Sequence, residues 1–184
     1  MRVNIEYGRS FGFALKLMEV NMRNKESEKL FKLAYTDAMT GLYNRAAYEE
    51  RLAKLRRSTA RLDNIMVVVA EIEDLFTIDD IAGKMVGDDV VKAMANTLTR
   101  TIGKKADIYQ LGGYYFVCIA EREIFSYVSE FKDLLIFENR DRLYPFSVNL
   151  GYSSFNPKKH KTIDDLVLDC DKKLMEHKPK IQIY

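Results

Sequence analysis

The chain has 184 residues, 47% of them hydrophobic, which suits one domain with a sizeable core and an appendage rather than two full domains. Lys and Arg number 29 against 27 Asp and Glu, so the net charge of +2 gives no reason to expect a nucleic acid as partner. No run of about 18 apolar residues is present, so we expect no membrane segment in this chain.

The first part of the chain predicts a linker helix. Within residues 10–34, apolar side chains recur near helical spacing between charged ones: Leu15, Met18, Met22, Leu30 and Leu33. Two interpretations remain open, since such a helix can pair with a second copy or a protein partner, or pack on its own domain. We therefore divide the chain into a linker, residues 1–34, and a domain, residues 35–184.

The domain begins with a polar, turn-forming segment, residues 36–45, followed by a helix with an apolar face: Tyr48, Leu52 and Leu55. Residues 64–72, NIMVVVAEI, are β-branched and almost wholly apolar, which is typical of a central strand covered on both faces. A helix over 87–103 follows. Strands over 106–111 and 114–120 are joined at Gly112 and Gly113.

The remaining elements are a helix, a strand and a last helix. The helix over 122–137 has an inward face: Ile124, Phe125, Val128, Phe131 and Leu135. Residues 144–155 form the fourth strand. Thr162 and Asp165 predict a capping box at the start of the last helix, which buries three residues: Leu166, Cys170 and Leu174. Cys118 and Cys170 both lie in apolar segments, which indicates buried thiols in a reducing compartment, so we expect a cytoplasmic location.

The order of elements predicts an α+β fold. Strand, helix, two strands, helix, strand is the ferredoxin-like βαββαβ pattern, an antiparallel sheet flanked by helices. In that topology the first strand lies beside the third. Glu71, Glu73 and Tyr114 are therefore expected to lie near one another, as candidates for one site.

Five segments resemble motifs of the GGDEF domain, the diguanylate cyclase family. In chain order they are TDAMTGLYNRAAY, EIEDLFTIDDIAGKMVGDDVV, LGGYYF, SVNLGY and CDKKLMEHK, and they extend from Tyr35 to Lys178. The resemblance implies the fold above and, for an active member, condensation of two GTP molecules into cyclic di-GMP. That chemistry uses magnesium ions, which bind hard anionic oxygen atoms.

The resemblance places the family's metal-binding carboxylates at Glu71 and Tyr114, where the signature reads GGYYF. A tyrosine, with a pKa of about 10, is neutral at pH 7 and is a poor magnesium ligand. Tyr115 is likewise aromatic instead of acidic. Glu71 alone remains a candidate metal ligand, displaced by one methylene, and no residue is assigned a catalytic role.

The resemblance also implies vestigial nucleotide-binding positions. They are Asp79 and Asp88 at the guanine edge, Gly112 and Gly113 in the turn, and Lys178 facing phosphate. The alternative for Asp88 is an acidic residue in the first turn of a helix, where the macrodipole favours it, and for Lys178 a solvated helix end.

Three further departures concern the same region. Phe76 stands where the family has a lysine near the phosphates, Lys84 where it has a histidine, and Gln110 where it has an arginine before the glycines. Residues 103–110 lack the arginine of the family's product-binding site, which makes product sensing there unexpected.

Other interpretations were weighed for the remaining polar groups. The opening residues are expected to shape a turn instead of binding a ligand: Asp37, Thr40, Gly41, Leu42 and Asn44. Five acidic residues form a cluster in the sequence: Glu71, Glu73, Asp74, Asp79 and Asp80. They could hold a cation in another geometry, although a helix cap and a solvated face is the simpler interpretation. His160 and His177 have no Cys or Asp at ligand spacing, so no metal is expected there.

The sequence thus predicts a degenerate GGDEF domain without cyclase activity, acting as a signalling or interaction module in cyclic di-GMP signalling. Its expected partner is a protein or a second copy, bound through the N-terminal helix. The alternatives are a sensor of GTP or another purine nucleotide without turnover, and a weak or altered diguanylate cyclase. No cofactor is expected, with Mg²⁺ needed only if GTP binding or residual activity exists.

Overall fold

The computed structural model of the chain describes residues 25–57 and 62–177. Helix α1 covers residues 25–35 of this part. The other elements follow in chain order: α2 (Arg45–Arg57), β1 (Met66–Ile72), α3 (Leu75–Ala82), α4 (Lys84–Arg100), a 3₁₀ turn (Ile102–Lys104), β2 (Ala106–Gly112), β3 (Tyr115–Ala120), α5 (Phe125–Asn139), β4 (Val148–Ser154) and α6 (Ile163–His177).

The strands form one antiparallel sheet in the order β2-β3-β1-β4. β1 is central, and its Val68 lies opposite Cys118 of β3 and Tyr152 of β4. This topology confirms the predicted ferredoxin-like βαββαβ sheet flanked by helices. It also confirms that the first strand lies beside the third.

The sheet separates two apolar layers because successive side chains of β1 point to opposite faces. Met66, Val68 and Ala70 pack in the layer that α4 and α5 cover. Val67 and Val69 pack in the layer that α2 and α6 cover. All five side chains are fully buried, which confirms the prediction of a central strand covered on both faces.

The last helix is held against β4 at a close approach. Its predicted capping box is confirmed, since the Asp165 N–H donates to Thr162 Oγ1 at 3.2 Å and the Thr162 N–H donates to Asp165 Oδ2 at 2.9 Å. A Cβ atom on Gly151 of β4 would lie 2.0 Å from the carbonyl oxygen of Cys170. The backbones of α6 and β4 can approach this closely only because residue 151 is a glycine.

Helix α5 differs from its prediction at one residue. Phe125 is exposed, and its ring packs against Tyr152 with the centroids 6.0 Å apart. Ile124 takes the inward position, and each residue turns the helix by about 100°, so its neighbour leaves the buried layer. The prediction that Phe125 faces inward is wrong. The other residues of the predicted face are buried or partly buried: Ile124, Val128, Phe131 and Leu135.

Helix α1 has no buried residue before position 35. Its large apolar side chains Leu30, Phe31 and Leu33 are all exposed. In this part of the linker the helix therefore does not pack on its own domain. The rest of the predicted linker helix lies outside the described residues, and the domain boundary at residue 35 stays a prediction. Among the described helices, none is long and apolar enough to span a bilayer.

Candidate functional site

The end of β1 and the hairpin tip between β2 and β3 are neighbours, as the topology predicts. Glu71 lies opposite Tyr115 in the ladder, and the Ile72 N–H donates to the Tyr114 carbonyl at 2.9 Å. Helix α3 and the start of α4 follow directly after β1. We call five side chains at this place the signature pocket: Phe76, Asp79, Lys84, Asp88 and Tyr114. Glu71 faces the same side of the sheet as its ladder partner Tyr115 and as Val67 and Val69 of its own strand.

An aromatic contact occupies one side of the signature pocket. The ring of Tyr114 meets the ring of Phe76 edge to face, with the centroids 5.6 Å apart and an angle of 67° between the planes. Phe76 is 69% exposed and Tyr114 36% exposed, so the pair lies at the surface. Such a contact contributes about 0.5–1.5 kcal/mol beyond area burial. It joins the two positions where the resemblance leads one to expect a lysine and an aspartate.

The second tyrosine of the tip belongs to the other side of the sheet. Tyr115 packs in the layer under α2 and α6, and its phenol donates a hydrogen bond to Asp171 Oδ1 of α6. Burial, followed by the hydrogen bond to Asp171, raises the pKa of Tyr115. The two sequence-predicted tip residues therefore do not share one site, and Tyr115 ties β3 to α6.

The other side of the signature pocket is an internal ion-pair cluster. The ammonium of Lys84 lies 3.1 Å from Asp88 Oδ1 and 3.4 Å from Asp79 Oδ2. The hydrogen bond to Asp88 and then that to Asp79 raise the pKa of Lys84. Asp79 also fills the space beside Gly87, since a Cβ atom there would lie 1.7 Å from Asp79 Oδ1. The lysine thus contacts both predicted guanine-edge residues.

The alternative interpretation of Asp88 as a first-turn residue is wrong. Helix α4 begins at Lys84 and has no acidic residue in its first turn. Asp88 is one full turn further on, where the helix dipole acts less strongly on a carboxylate. The placement of Asp88 is instead governed by its ion pair with Lys84.

The acidic cluster is only partly arranged as predicted. Asp74 precedes α3 with a left-handed backbone, φ 51°, and its side chain makes no capping hydrogen bond. The interpretation of the cluster as a helix cap is therefore wrong at this residue. Glu71 is half-buried, opposite Tyr115 and Asn149 in the two ladders. Across the described part of the chain, no three His, Cys, Asp or Glu side chains are grouped so as to hold a metal ion.

The opening turn, residues 37–44, is held by its own side chains, as predicted. Asp37 Oδ1 accepts hydrogen bonds from the Thr40 N–H at 2.8 Å and the Thr40 hydroxyl at 2.7 Å. Asn44 caps α2, because its Oδ1 accepts from the Ala47 N–H at 3.1 Å. Gly41 has φ 72°, a left-handed conformation that favours glycine.

Gln110 connects this turn to the hairpin tip. Its side chain is buried, with Nε2 donating to the Gly113 carbonyl at 3.2 Å and Oε1 2.9 Å from the Thr40 hydroxyl, whose single proton it shares with Asp37 Oδ1. Gly112 has φ 147° at the bulge where the ladder between β2 and β3 shifts. The sequence showed only that an arginine is missing at 110. The role of the Gln110 amide as a bridge is visible only in the structure, which brings residues 40 and 113 together.

His160 is buried, with Nδ1 accepting from the Asn156 N–H at 3.0 Å and Nε2 3.5 Å from Asp169 Oδ2. Lys178 lies outside the described residues, as does the side chain of His177. The proposed nucleotide-binding roles of Asp79, Asp88, Gly112, Gly113 and Lys178 stay predictions.

Comparisons with known proteins agree on the family. The family described as "Diguanylate cyclase, GGDEF domain" matches residues 34–182. Diguanylate cyclase VdcA of Vibrio cholerae is 25% identical over 116 residues, which cover 63% of this chain and 33% of VdcA. The chain thus spans about a third of that relative's length.

Two solved structures show the same fold. One is the coiled coil and GGDEF domain of DgcB from Caulobacter crescentus in complex with c-di-GMP, with TM-score 0.70 and 22% identity over 89% of this chain and 90% of that one. The other is diguanylate cyclase SiaD of Pseudomonas aeruginosa in complex with its activator SiaC, with TM-score 0.68 and 16% identity over 95% of this chain and 71% of that one.

Proposed function

The chain belongs to the GGDEF domain family, and from this premise we propose that it is a degenerate member, without diguanylate cyclase activity, that serves as a signalling and interaction module. GGDEF domains occur in proteins of cyclic di-GMP signalling. A domain of this family can serve in signalling without catalysis if it passes a conformational change to a neighbouring domain or binds a partner.

The observation that carries the proposal is the aromatic contact between Tyr114 and Phe76. Magnesium needs anionic oxygen at near-octahedral geometry, and phosphate needs a cation. At these two positions the chain offers a neutral phenol and a phenyl ring. Glu71 is the carboxylate that remains for a metal, and a displacement of a ligand by an ångström can cost a large factor in rate.

The two residues expected to contact the guanine base support the same proposal. The carboxylates of Asp79 and Asp88 both contact the ammonium of Lys84. A guanine base that donates to Asp88 would have to compete with this ammonium for Oδ1. Displacement of the ammonium costs the charge-assisted hydrogen bonds of the cluster, which solvent weakens because the ammonium is exposed.

The interaction part of the proposal rests on α1. Its exposed apolar side chains, Leu30, Phe31 and Leu33, leave an unpartnered face at the start of the domain. DgcB has a coiled coil next to its GGDEF domain, and SiaD binds the activator SiaC. We infer that the linker helix joins this chain to a second copy or to a protein partner, in the cytoplasm.

A sensor of GTP or another purine nucleotide is the second candidate. Asp88 is 35% exposed and Lys84 72% exposed, so the ion pair can be reached from solvent. A ligand with a strong donor edge can therefore compete for the carboxylates without unfolding the helix. A weak cyclase, the third candidate, needs in addition a magnesium ion on Glu71.

Calorimetric titration with GTP, with and without Mg²⁺, separates the three candidates. The interaction module predicts no heat of binding in either condition and no cyclic di-GMP by chromatography of the reaction mixture. Metal-independent heat that disappears in Asp88→Ala would establish the sensor. Metal-dependent heat with formation of cyclic di-GMP would contradict the proposal, and Lys92→Ala, a change on the same helix away from the pocket, is the matched control.

The interaction role is tested separately by the mass of the particle in solution. The chain is expected to self-associate or to retain its partner, and Leu30→Asp with Leu33→Asp should abolish that association. An unchanged particle mass in the double variant would contradict the assignment to α1. Leu168→Asp, a change at an exposed leucine of α6, serves as control.

A further inference from the structure

The two outer strands of the sheet differ in whether another segment is hydrogen-bonded to their free edge. The outer edge of β2 is paired with the opening turn, because Tyr43 N–H donates to the Ile108 carbonyl at 3.1 Å and Gln110 N–H donates to the Tyr43 carbonyl at 2.7 Å. At the outer edge of β4, no strand of the described residues is paired. An uncovered edge presents a row of N–H and C=O groups to which another strand can bind.

The ladder fixes which backbone groups of β4 point outward. Glu73 N–H donates to the Ser147 carbonyl and Phe155 N–H to the Ile65 carbonyl, both at 2.8 Å. In an antiparallel pair, alternate residues turn their polar groups toward the same neighbour. Odd-numbered residues of β4 therefore bond to β1, and the N–H and C=O groups of Val148, Leu150 and Tyr152 point away from the sheet.

A large apolar cleft lies along this edge. It has a volume of about 1200 Å³ and is formed by α5, β4 and the end of α6. Ile136 is 72% exposed and Phe137 61% exposed on the α5 side, and both line the cleft. Exposed apolar patches of this kind next to open strands mark interaction sites. The edge thus offers both backbone hydrogen bonds and apolar surface.

The rim of the cleft carries charges of both signs. The basic residues are Lys132, Arg140 and Lys173, and the acidic ones Asp133 and Glu176. A partner of one sign would meet like charges here. A two-fold axis places a patch against itself, so the two acidic residues of one copy can meet basic residues of the other.

We propose that the outer edge of β4 binds the β4 edge of a second copy, antiparallel, so that the two sheets become continuous. This contact is separate from the one assigned to α1 and does not depend on the absence of cyclase activity.

One register fits the open groups. Lys173 Nζ donates to the Tyr152 carbonyl at 3.2 Å, so this carbonyl is already hydrogen-bonded within the chain. A two-fold axis beside Asn149 lets Val148 and Leu150 of one copy bond to Leu150 and Val148 of the other, and leaves Tyr152 out. The two Asn149 residues then form a non-hydrogen-bonded pair with Cα atoms about 4.5 Å apart.

Disulfide trapping tests this register directly. Cα atoms about 4.4–6.8 Å apart can be bridged by a disulfide, so Asn149→Cys is expected to form a covalent dimer under mild oxidation. The two native cysteines are buried and do not compete. The change is made in the chain carrying Leu30→Asp and Leu33→Asp, so that association through α1 is removed. Lys92→Cys in the same background is the control and is expected to remain monomeric.

A proline variant shows whether backbone pairing is responsible. Val148 is the first residue of β4 and its N–H points outward, so Val148→Pro removes an intermolecular donor without removing a bond to β1. With Asn149→Cys, it is expected to reduce cross-linking at least about tenfold, the equivalent of about 1.4 kcal/mol, while circular dichroism stays unchanged. If this variant unfolds, hydrogen exchange of the Val148 and Leu150 amides in the parent chain replaces it. The proposal predicts that their protection rises with protein concentration.

Three results would overturn the proposal. The first is cross-linking of Asn149→Cys no faster than that of the Lys92→Cys control. The second is cross-linking that survives the proline in a folded variant. The third is protection of the Val148 and Leu150 amides that is independent of concentration, which would mean that the edge is covered by the chain itself.

Discussion

Two regions of the domain differ in what their side chains contact. One is the frame, by which we mean the opening turn, the sheet and the helices packed on it. The other is the signature pocket. In the frame, Asp37, Thr40 and Gln110 hold one another and the backbone by hydrogen bonds. In the pocket, Tyr114 contacts Phe76, and Lys84 contacts the acidic residues of its own helix and of α3. The side chains of the pocket thus contact mainly exposed neighbours, and one of their polar atoms, Asp79 Oδ1, is buried without a hydrogen-bond partner.

This difference teaches that the fold does not depend on the groups that would bind a ligand. Equivalent substitutions in the two regions should therefore differ in their effect on the free energy of unfolding. Each prediction below compares one residue of the frame with a residue of the same type in or beside the pocket.

The largest difference is expected between two glycines. Gly151→Ala places a Cβ atom 2.0 Å from the Cys170 carbonyl oxygen, a backbone atom that can move only with α6, and should cost about 3 kcal/mol. Gly87→Ala conflicts with the Asp79 carboxylate at 1.7 Å, which can rotate away, and should change stability by less than about 1 kcal/mol. Urea unfolding monitored by circular dichroism measures both. Equal losses would show that α6 is not anchored at β4.

Two aspartates provide the second comparison. Asp37→Ala removes the acceptor of the Thr40 N–H and hydroxyl and should lower the free energy of unfolding by about 2 kcal/mol. Asp88→Ala removes one exposed ion pair and should change it by no more than about 0.5 kcal/mol. Both values come from the same urea titrations. A larger loss for Asp88 than for Asp37 would contradict the division into frame and pocket.

Two tyrosines test the alkaline range. In the folded state the pKa of Tyr115 is raised above its ordinary 10.0. The stabilisation that its neutral phenol contributes is therefore fully present below pH 10.0, and it is lost as the pH rises through the higher pKa of the folded state. Tyr115→Phe should cost about 1 kcal/mol at neutral pH and flatten the loss of stability above pH 10.0. Tyr114→Phe keeps the ring contact with Phe76 and should leave the free energy of unfolding at neutral pH unchanged. Identical alkaline unfolding curves for wild type and Tyr115→Phe would refute the role assigned to its phenol.

The smallest effect is expected in acid. The N–H groups of Lys161 and Thr162 hold the pKa of Asp165 below its ordinary 3.8. The stabilisation is therefore present above pH 3.8 and is lost as the pH falls through the lower value of the folded state. Asp165→Asn should unfold at a slightly lower urea concentration at neutral pH and show a flatter decline in acid. Asp79→Asn, in the pocket, weakens an ion pair with the exposed Lys84 and should change the urea midpoint at neutral pH by less than Asp165→Asn does.

Local patterns in the sequence predicted most of the frame. The apolar run of β1, the Thr162–Asp165 capping box and the turn at Gly41 each depend on residues within one element. Phe125 was misjudged because one residue of rotation decides whether a side chain at a helix start is buried. The burial of His160 has no signal in the sequence around it, since its contacts come from α6 and from the loop before it.

The pocket was predictable in location but not in its contacts. The topology sufficed to place Glu71 beside the tip, because strand order follows from the order of elements. That Tyr114 meets Phe76 depends on the position of α3 relative to the hairpin, which no spacing in the sequence gives. The pairing of Lys84 with both Asp79 and Asp88 depends likewise on how α4 turns away from α3 at Gly83.

The attachment of the opening turn to β2 has a mechanical consequence. Tyr43 bridges to Thr36, directly after α1, and also to Tyr109 of β2. A rotation or displacement of the linker helix is therefore transmitted through Tyr43 to β2, the strand that leads into the hairpin. This path does not include the charged residues near α3. It involves no residue of the signature pocket, so motion of the linker can reach the hairpin whether or not the domain acts on a nucleotide.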